Sequence, residues 1–217
     1  MDALRDLVSA DAPLALALGG LVIGFLFGAA VYRTNYCAMG SLSDIRNFKD
    51  YRRFRAWVLA AAVALAGAQI AQAAGLVALD KSMYLAPNLN WLGNILGGIV
   101  FGIGMVFAGG CPSRNLARAG GGDLRSLVTL IVLGLFAYMT IGGLLAPLRA
   151  AAEQATSLPV AAPSQSVGHI LALVTGAAPA SLNAAAAVLI AGAAVVYCAA
   201  DARFRTSRVH VLSGLAV

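Results

Sequence analysis

Apolar residues in this chain come in long unbroken runs, without the period of two that marks a half-buried strand or the period of 3.6 that marks a surface helix. The runs extend from Ala12 to Val31, Ala56 to Leu79, Trp91 to Gly110, Leu127 to Leu148 and Leu182 to Ala200. Each approaches or exceeds the roughly 20 residues that an α-helix needs to cross about 30 Å of hydrocarbon. The pattern predicts an all-α integral membrane protein with about five spanning helices. A sixth patch, Val167–Ala178, is too short to span and reads as re-entrant or interfacial. Gln69 and Gln72 interrupt the second run three residues apart on one helical face, a placement that suits protein contact better than lipid contact.

Composition agrees with the pattern. The 217 residues are 60% hydrophobic and 11% charged, too little polar surface to coat a soluble globule. The net charge of +6 is not a nucleic-acid footprint, because the basic residues fall between apolar runs and form no polar recognition surface. They report topology instead. Arg33, Arg46, Lys49, Arg52, Arg53 and Arg55 follow the first run, Arg114, Arg118 and Arg125 follow the third, and Arg203, Arg205 and Arg208 follow the last. If every long run crosses, these twelve share one side and only Arg5, Lys81 and Arg149 lie on the other. The positive-inside rule makes the first side cytoplasmic and puts the N-terminus outside. The N-terminal "MDALRD" mixes charges, and no small-residue cleavage site follows, so Ala12–Val31 is expected to be a retained helix.

The chain reads as a single transmembrane domain, 1–217, in which two segments resemble each other. "LGGLVIGF" at Leu18–Phe25 and "LGGIVFGI" at Leu96–Ile103 agree at five of eight positions, and a cysteine follows each, Cys37 and Cys111. Repeat units around 12–55 and 91–126 would account for this, and so would a coincidence of two glycine-rich apolar runs. The glycines are expected to form ridges that let helix backbones approach closely.

Three cysteines, Cys37, Cys111 and Cys198, and two histidines, His169 and His210, make no C-x-x-C or other ligand spacing, so no metal site and no cofactor is expected. The topology places all three thiols near the reducing side, which disfavours a structural disulfide. Cys198, within "AAVVYCAAD", reads as a small apolar filler. The histidines read as loop polar groups. Cys37 and Cys111 stand among glycine, asparagine, serine and arginine, where freed backbone amides favour an anion. In "GGCPSRNL", Gly109 and Gly110 end a helix and Pro112 prevents its continuation. From the residues alone this loop is either a seat for a small anion or an ordinary turn with topogenic arginines.

Three stretches carry a longer likeness: "YRTNYCAMGSLSD" at Tyr32–Asp44, "LGGIVFGIGMVFAGGCPSRNLARAGGGDLRSLV" at Leu96–Val128 and "AYMTIGGLLAPLR" at Ala137–Arg149. Over most of Ala12–Arg149 the chain resembles the YeeE/YedE family of bacterial inner-membrane transporters for sulfur compounds. The resemblance implies uptake of thiosulfate or a related small anion, and an hourglass of spanning and short re-entrant helices with cysteines at its constriction. Cys37 and Cys111 match the family's two cysteine motifs, whose thiols would pass the anion along by hydrogen bonding to its sulfur. Around them Gly109, Gly110, Ser113 and Asn115 would supply donors, and Arg33 and Arg118 would draw the ion to the exit. Two departures accompany the likeness. Full-length members carry a further glycine-flanked cysteine that Cys198 does not match, and the chain is expected to be incomplete relative to them or a half completed by a second membrane subunit. A soluble sulfur-carrier protein is a further conceivable partner. No G-x-x-x-x-G-K-[ST] motif is present, so ATP hydrolysis within the chain is not expected, and the chain is read as a transporter and not an enzyme. Two alternatives stand beside this reading: a non-transporting helical subunit, and a sulfur-transfer protein with Cys111 as nucleophile.

Overall fold

A computed structural model describes residues 11–79, 82, 85, 87–159, 162 and 164–217. Arg5 and Lys81, and the "MDALRD" terminus, lie outside the described residues. The described part is an all-α integral membrane protein with five segments long and apolar enough to cross a bilayer: Ala12–Phe48, Arg52–Ala73, Trp91–Gly120, Leu124–Ile141 and Pro179–Ala199.

Two of these segments are broken, and the breaks fall at the cysteines. Helix α1 (Ala12–Thr34) has a proline in its first turn and ends where Asn35 turns left-handed at φ 53°. Helix α2 (Ala38–Phe48) begins at once, with Cys37 as its N-cap. In the same way α4 (Trp91–Phe107) ends at Ala108, Gly109 takes φ 65°, and α5 (Pro112–Gly120) begins with Cys111 as N-cap. At 1.5 Å per residue α1 is about 34 Å long, enough to cross before Cys37 is reached.

The remaining helices are α3 (Arg52–Ala73), α6 (Leu124–Ile141), α7 (Ala146–Thr156), α8 (Val167–Thr175), α9 (Pro179–Ala199), α10 (Ala202–Thr206) and α11 (Arg208–Ala216). Three starts share one device: the carboxylates of Asp50, Asp123 and Asp201 accept from the amides of Arg52, Arg125 and Arg203. An Asp-x-Arg pattern thus satisfies amides that a helix start leaves bare. A two-residue antiparallel pairing of β1 (Asn88–Leu89) with β2 (Leu158–Pro159) joins the approach to α4 to the end of α7.

Several boundaries differ from the hydropathy reading. The second spanning helix starts at Arg52 and ends at Ala73, because Asp50, just before the N-cap Tyr51, accepts from the Arg52 amide and favours helix through the arginines, and Gly75, at φ 70°, ends it before Leu79. The fourth stops at Ile141 and not Leu148. At Gly143 the chain turns so tightly that an added Cβ would lie 2.8 Å from the Met139 Cα. His169 and His210 are not loop groups: each sits in the first turn of a short helix, its Nδ1 bonded to the serine three residues earlier, Ser166 at 2.7 Å and Ser207 at 2.5 Å.

The packed centre lies along α3. Ala56, Leu59, Cys198 and Phe204 form one buried cluster between α3, α9 and α10, and Val31, Tyr36 and Ala60 form another where α1 meets α3. Helix α11 lies so close to α3 that a Cβ on Gly214 would meet the Ala56 carbonyl at 2.8 Å. The glycine ridges pack against no described helix. At Gly19, Gly20, Gly24 and Gly28, and at Gly97, Gly98, Gly102 and Gly104, an added Cβ would meet nothing within 4 Å among the described residues. Most large apolar side chains are exposed as well, as lipid-facing or partner-facing surface requires. Gln69 and Gln72 are half-buried on α3.

Candidate functional site

The two breaks meet. The Cys37 and Cys111 side chains, 2% and 5% exposed, are neighbours in the fold. Each occupies the N-cap position of its own helix, but only the Cys37 side chain makes a cap hydrogen bond. The Gly40 amide donates to Cys37 Sγ at 3.4 Å, and the Cys111 amide is directed at the same sulfur. The amides of Ala38 and Arg114 are directed at the Cys111 sulfur, and Ser113 Oγ lies 3.2 Å from it. Two helix N-termini, each with partial positive charge, therefore converge on two weakly donating thiols. A cap residue must leave helical geometry, and the left-handed residues two positions earlier, Asn35 and Gly109, provide that turn.

Asn115 is buried and has a supporting role in the loop. Its amide donates to the Gly110 carbonyl at 3.2 Å and reaches the Ala108 carbonyl at 3.4 Å, which holds the chain on both sides of Gly109. Its Oδ1 accepts from Ser126 Oγ at 3.1 Å, and the same hydroxyl lies 2.8 Å from Asp123 Oδ2. Asp123 also pairs with Arg118 at 3.0 Å. These hydrogen bonds hold the Asp123 carboxyl below the usual carboxylate range, with Ser126 as the chief cause. Gly110 carries the stem of Arg114, whose Cδ lies 3.4 Å from a Cβ built there.

Residues that flank the two cysteines in sequence, Asn35 and Arg114, line a cavity of about 510 Å³ together with Val31, Tyr32, Ala117 and Arg118, and neither cysteine lines it. Of the residues singled out in the sequence, Cys37, Cys111, Gly109, Gly110, Ser113 and Asn115 are thus brought together, and Arg118 borders the cavity. Arg33 is exposed in the last turn of α1 and does not line this cavity. Cys198 lies apart from the pair, buried against Ala56, Leu59 and Phe204, with its thiol donating to the Arg55 carbonyl at 3.2 Å.

The sequence reading missed Arg114, Ser126, Tyr36 and Arg53. Arg114 carried a signal, since it stands three residues after Cys111 as Gly40 does after Cys37. Arg53 fills the space that Gly40 leaves: a Cβ there would meet its guanidinium at 2.6 Å, and Asp44 pairs with it at 3.2 Å. Ser126 and Tyr36 carried no signal, because only the packed fold buries them and brings Ser126 to Asn115. Among the described residues no three His, Cys, Asp or Glu side chains cluster to hold a metal ion.

Comparison with known proteins gives a consistent picture. Residues 33–214, well over half of the chain, match a family described as sulphur transport. Relatives include a protein named thiosulfate transporter TsuA from Spirochaeta thermophila, 36% identical over 124 residues, covering 57% of this chain and 36% of that protein. Another of the same name, from Escherichia coli, is 34% identical over 131 residues, covering 60% of this chain and 34% of that protein. The match thus spans little more than a third of the length of either relative.

Proposed function

This chain belongs to the sulphur transport family, and from that premise we propose that it carries thiosulfate, or a small anion like it, across a membrane past the paired thiols of Cys37 and Cys111. The observation that carries the reading is the meeting of two broken helices, each of which restarts at one of those cysteines. A sulfur dianion cannot cross hydrocarbon unpaired, and conduction needs donors that replace water without trapping the ion. Backbone amides near Gly40 and Cys111 supply fixed partial charge for its oxygens, Ser113 and Asn115 frame the loop, and the thiols donate weakly to its terminal sulfur. No bond to the ion is formed or broken, which makes the chain a transporter and not an enzyme.

The membrane is the bacterial inner membrane, with the N-terminus in the periplasm. Contacts among the arginine-bearing segments support this orientation. Arg55 donates to the Tyr197 carbonyl, stacks 4.4 Å from the Tyr197 ring centre and pairs with Asp201 at 3.5 Å, while a Cβ on Gly121 would meet Tyr32 at 3.2 Å. The loops after the first and third spans and the tail after the last thus gather at one end. Residues around 12–55 and 91–126 are two copies of one unit in this reading, supported by the shared order of long helix, left-handed residue, cysteine cap, short helix and aspartate cap. The uncovered glycine ridges of α1 and α4 support further helices, such as a second membrane subunit, as neighbours at those faces.

The test is uptake of radiolabelled thiosulfate by a bacterium without its own uptake system, expressing the complete protein at matched membrane levels. Wild type takes up the ion, and Cys37→Ser and Cys111→Ser each lower the rate at least about ten-fold, a loss of about 1.4 kcal/mol in barrier terms. Equal uptake by wild type and both variants overturns the thiol path.

A further inference from the structure

The cavity that Asn35 and Arg114 help to line is suited to an oxyanion. Its polar lining residues are Tyr32, Asn35, Arg114 and Arg118, and no aspartate or glutamate is among the described residues that line it. Arg118 is committed to Asp123 at 3.0 Å. Arg114 has no carboxylate partner among the described residues. Gly110 supports its stem, and its own amide faces the Cys111 sulfur. One wall of the cavity, with Asn35, leads directly into Cys37, and the other, with Arg114, leads directly out of Cys111. An ion leaving the pair on this side meets that guanidinium within one helical turn.

We propose that this cavity is an oxyanion vestibule on the cytoplasmic side of the thiol pair and that Arg114 is the residue that makes it select doubly charged oxyanions. The proposal rests on the thiosulfate reading for the identity of the cargo. Its physical basis stands apart from the thiols: guanidinium is planar, permanently charged and suited to two oxygens of one anion, whereas the thiols recognise the sulfur end. The vestibule therefore accepts sulfate, which has the charge and oxygens of thiosulfate without its terminal sulfur.

Two measurements on the complete protein test this. First, radiolabelled sulfate is bound to purified protein in detergent. Wild type binds it, Arg114→Gln weakens binding at least ten-fold, and Arg114→Lys recovers part of the loss. Second, thiosulfate exchange is measured in proteoliposomes with each face presented separately. Arg114→Gln raises the half-saturating concentration at the cytoplasmic face at least ten-fold and leaves the opposite face unchanged. Unchanged sulfate binding in Arg114→Gln overturns the proposal, and so does an equal shift at both faces, which marks a general structural effect. If wild type carries no thiosulfate but sulfate binding still depends on Arg114, the transport reading fails and the vestibule stands.

Discussion

At the scale of single residues, the position of Cys111 depends on Asn115. It is buried, bonds the Gly110 carbonyl and accepts from Ser126. Asn115→Ala leaves that carbonyl short of its partner, and an unsatisfied buried polar group costs about 1–3 kcal/mol. We expect a lower unfolding midpoint in detergent and a fall in thiosulfate uptake with Cys111 intact. Ser126→Ala removes one donor but leaves Asn115 bonded to Gly110, so its midpoint falls by less. Equal losses for the two would mean that Asn115 does not brace the loop. The sequence marked Asn115 as polar beside a cysteine. It could not mark Ser126, eleven residues away, because only the approach of α6 to α5 makes that hydroxyl the other end of the contact.

At the scale of elements, the short helix α11 depends on α3. His210, in its first turn, lies near Arg52 and Arg53 on one side of the balance and Asp50 and Asp44 on the other. Burial is the largest cause that lowers its pKa from the ordinary histidine value, and the two arginines add to it. The folded state therefore prefers the neutral ring. A depressed folded value means that the stabilising contribution is whole above pH about 6.5 and is lost as pH falls through the lower folded value. We expect the unfolding midpoint to drop from pH 7.5 to 5.5 and His210→Gln to reduce that drop. An equal drop in wild type and variant would remove His210 as its source. Nearby, Arg52 holds Asp50 down to about 2, so this carboxylate remains charged throughout that range. The element boundaries show where hydropathy fell short. It counts transfer energy and is blind to caps, so it missed α3 beginning among arginines and α6 ending at a glycine pair.

At the scale of the whole molecule, three arginine-rich segments collected at one end define a sidedness that chemistry can read. We expect Arg46→Cys to react with a membrane-impermeant maleimide only from the cytoplasmic face, and Leu158→Cys only from the periplasmic face. Both positions are accessible, and the native thiols are buried. The reverse pattern would invert the topology and move the Arg114 cavity to the entry side. A broad apolar exterior also belongs to this scale. Phe107 and Leu144 are 88% and 82% exposed, an outward placement that water would penalise and hydrocarbon does not.

The class and the number of candidate spans are legible in the sequence. They follow from the cost of placing backbone and charge in hydrocarbon, which any sufficiently long apolar run must meet in the same way. The left-handed turn at Gly109 is legible too, because glycine there is a local requirement. Assembly of the helices was needed to bring Cys37 and Cys111, 74 positions apart, into one site, to put Arg53 and not a neighbour in sequence over Gly40, and to turn the glycine ridges of α1 and α4 outward. Apolar spacing states that a helix fits in a membrane but not which face meets which neighbour. In lipid that choice rests on close packing and a few polar contacts between segments remote in sequence, and these exist only once the helices are assembled.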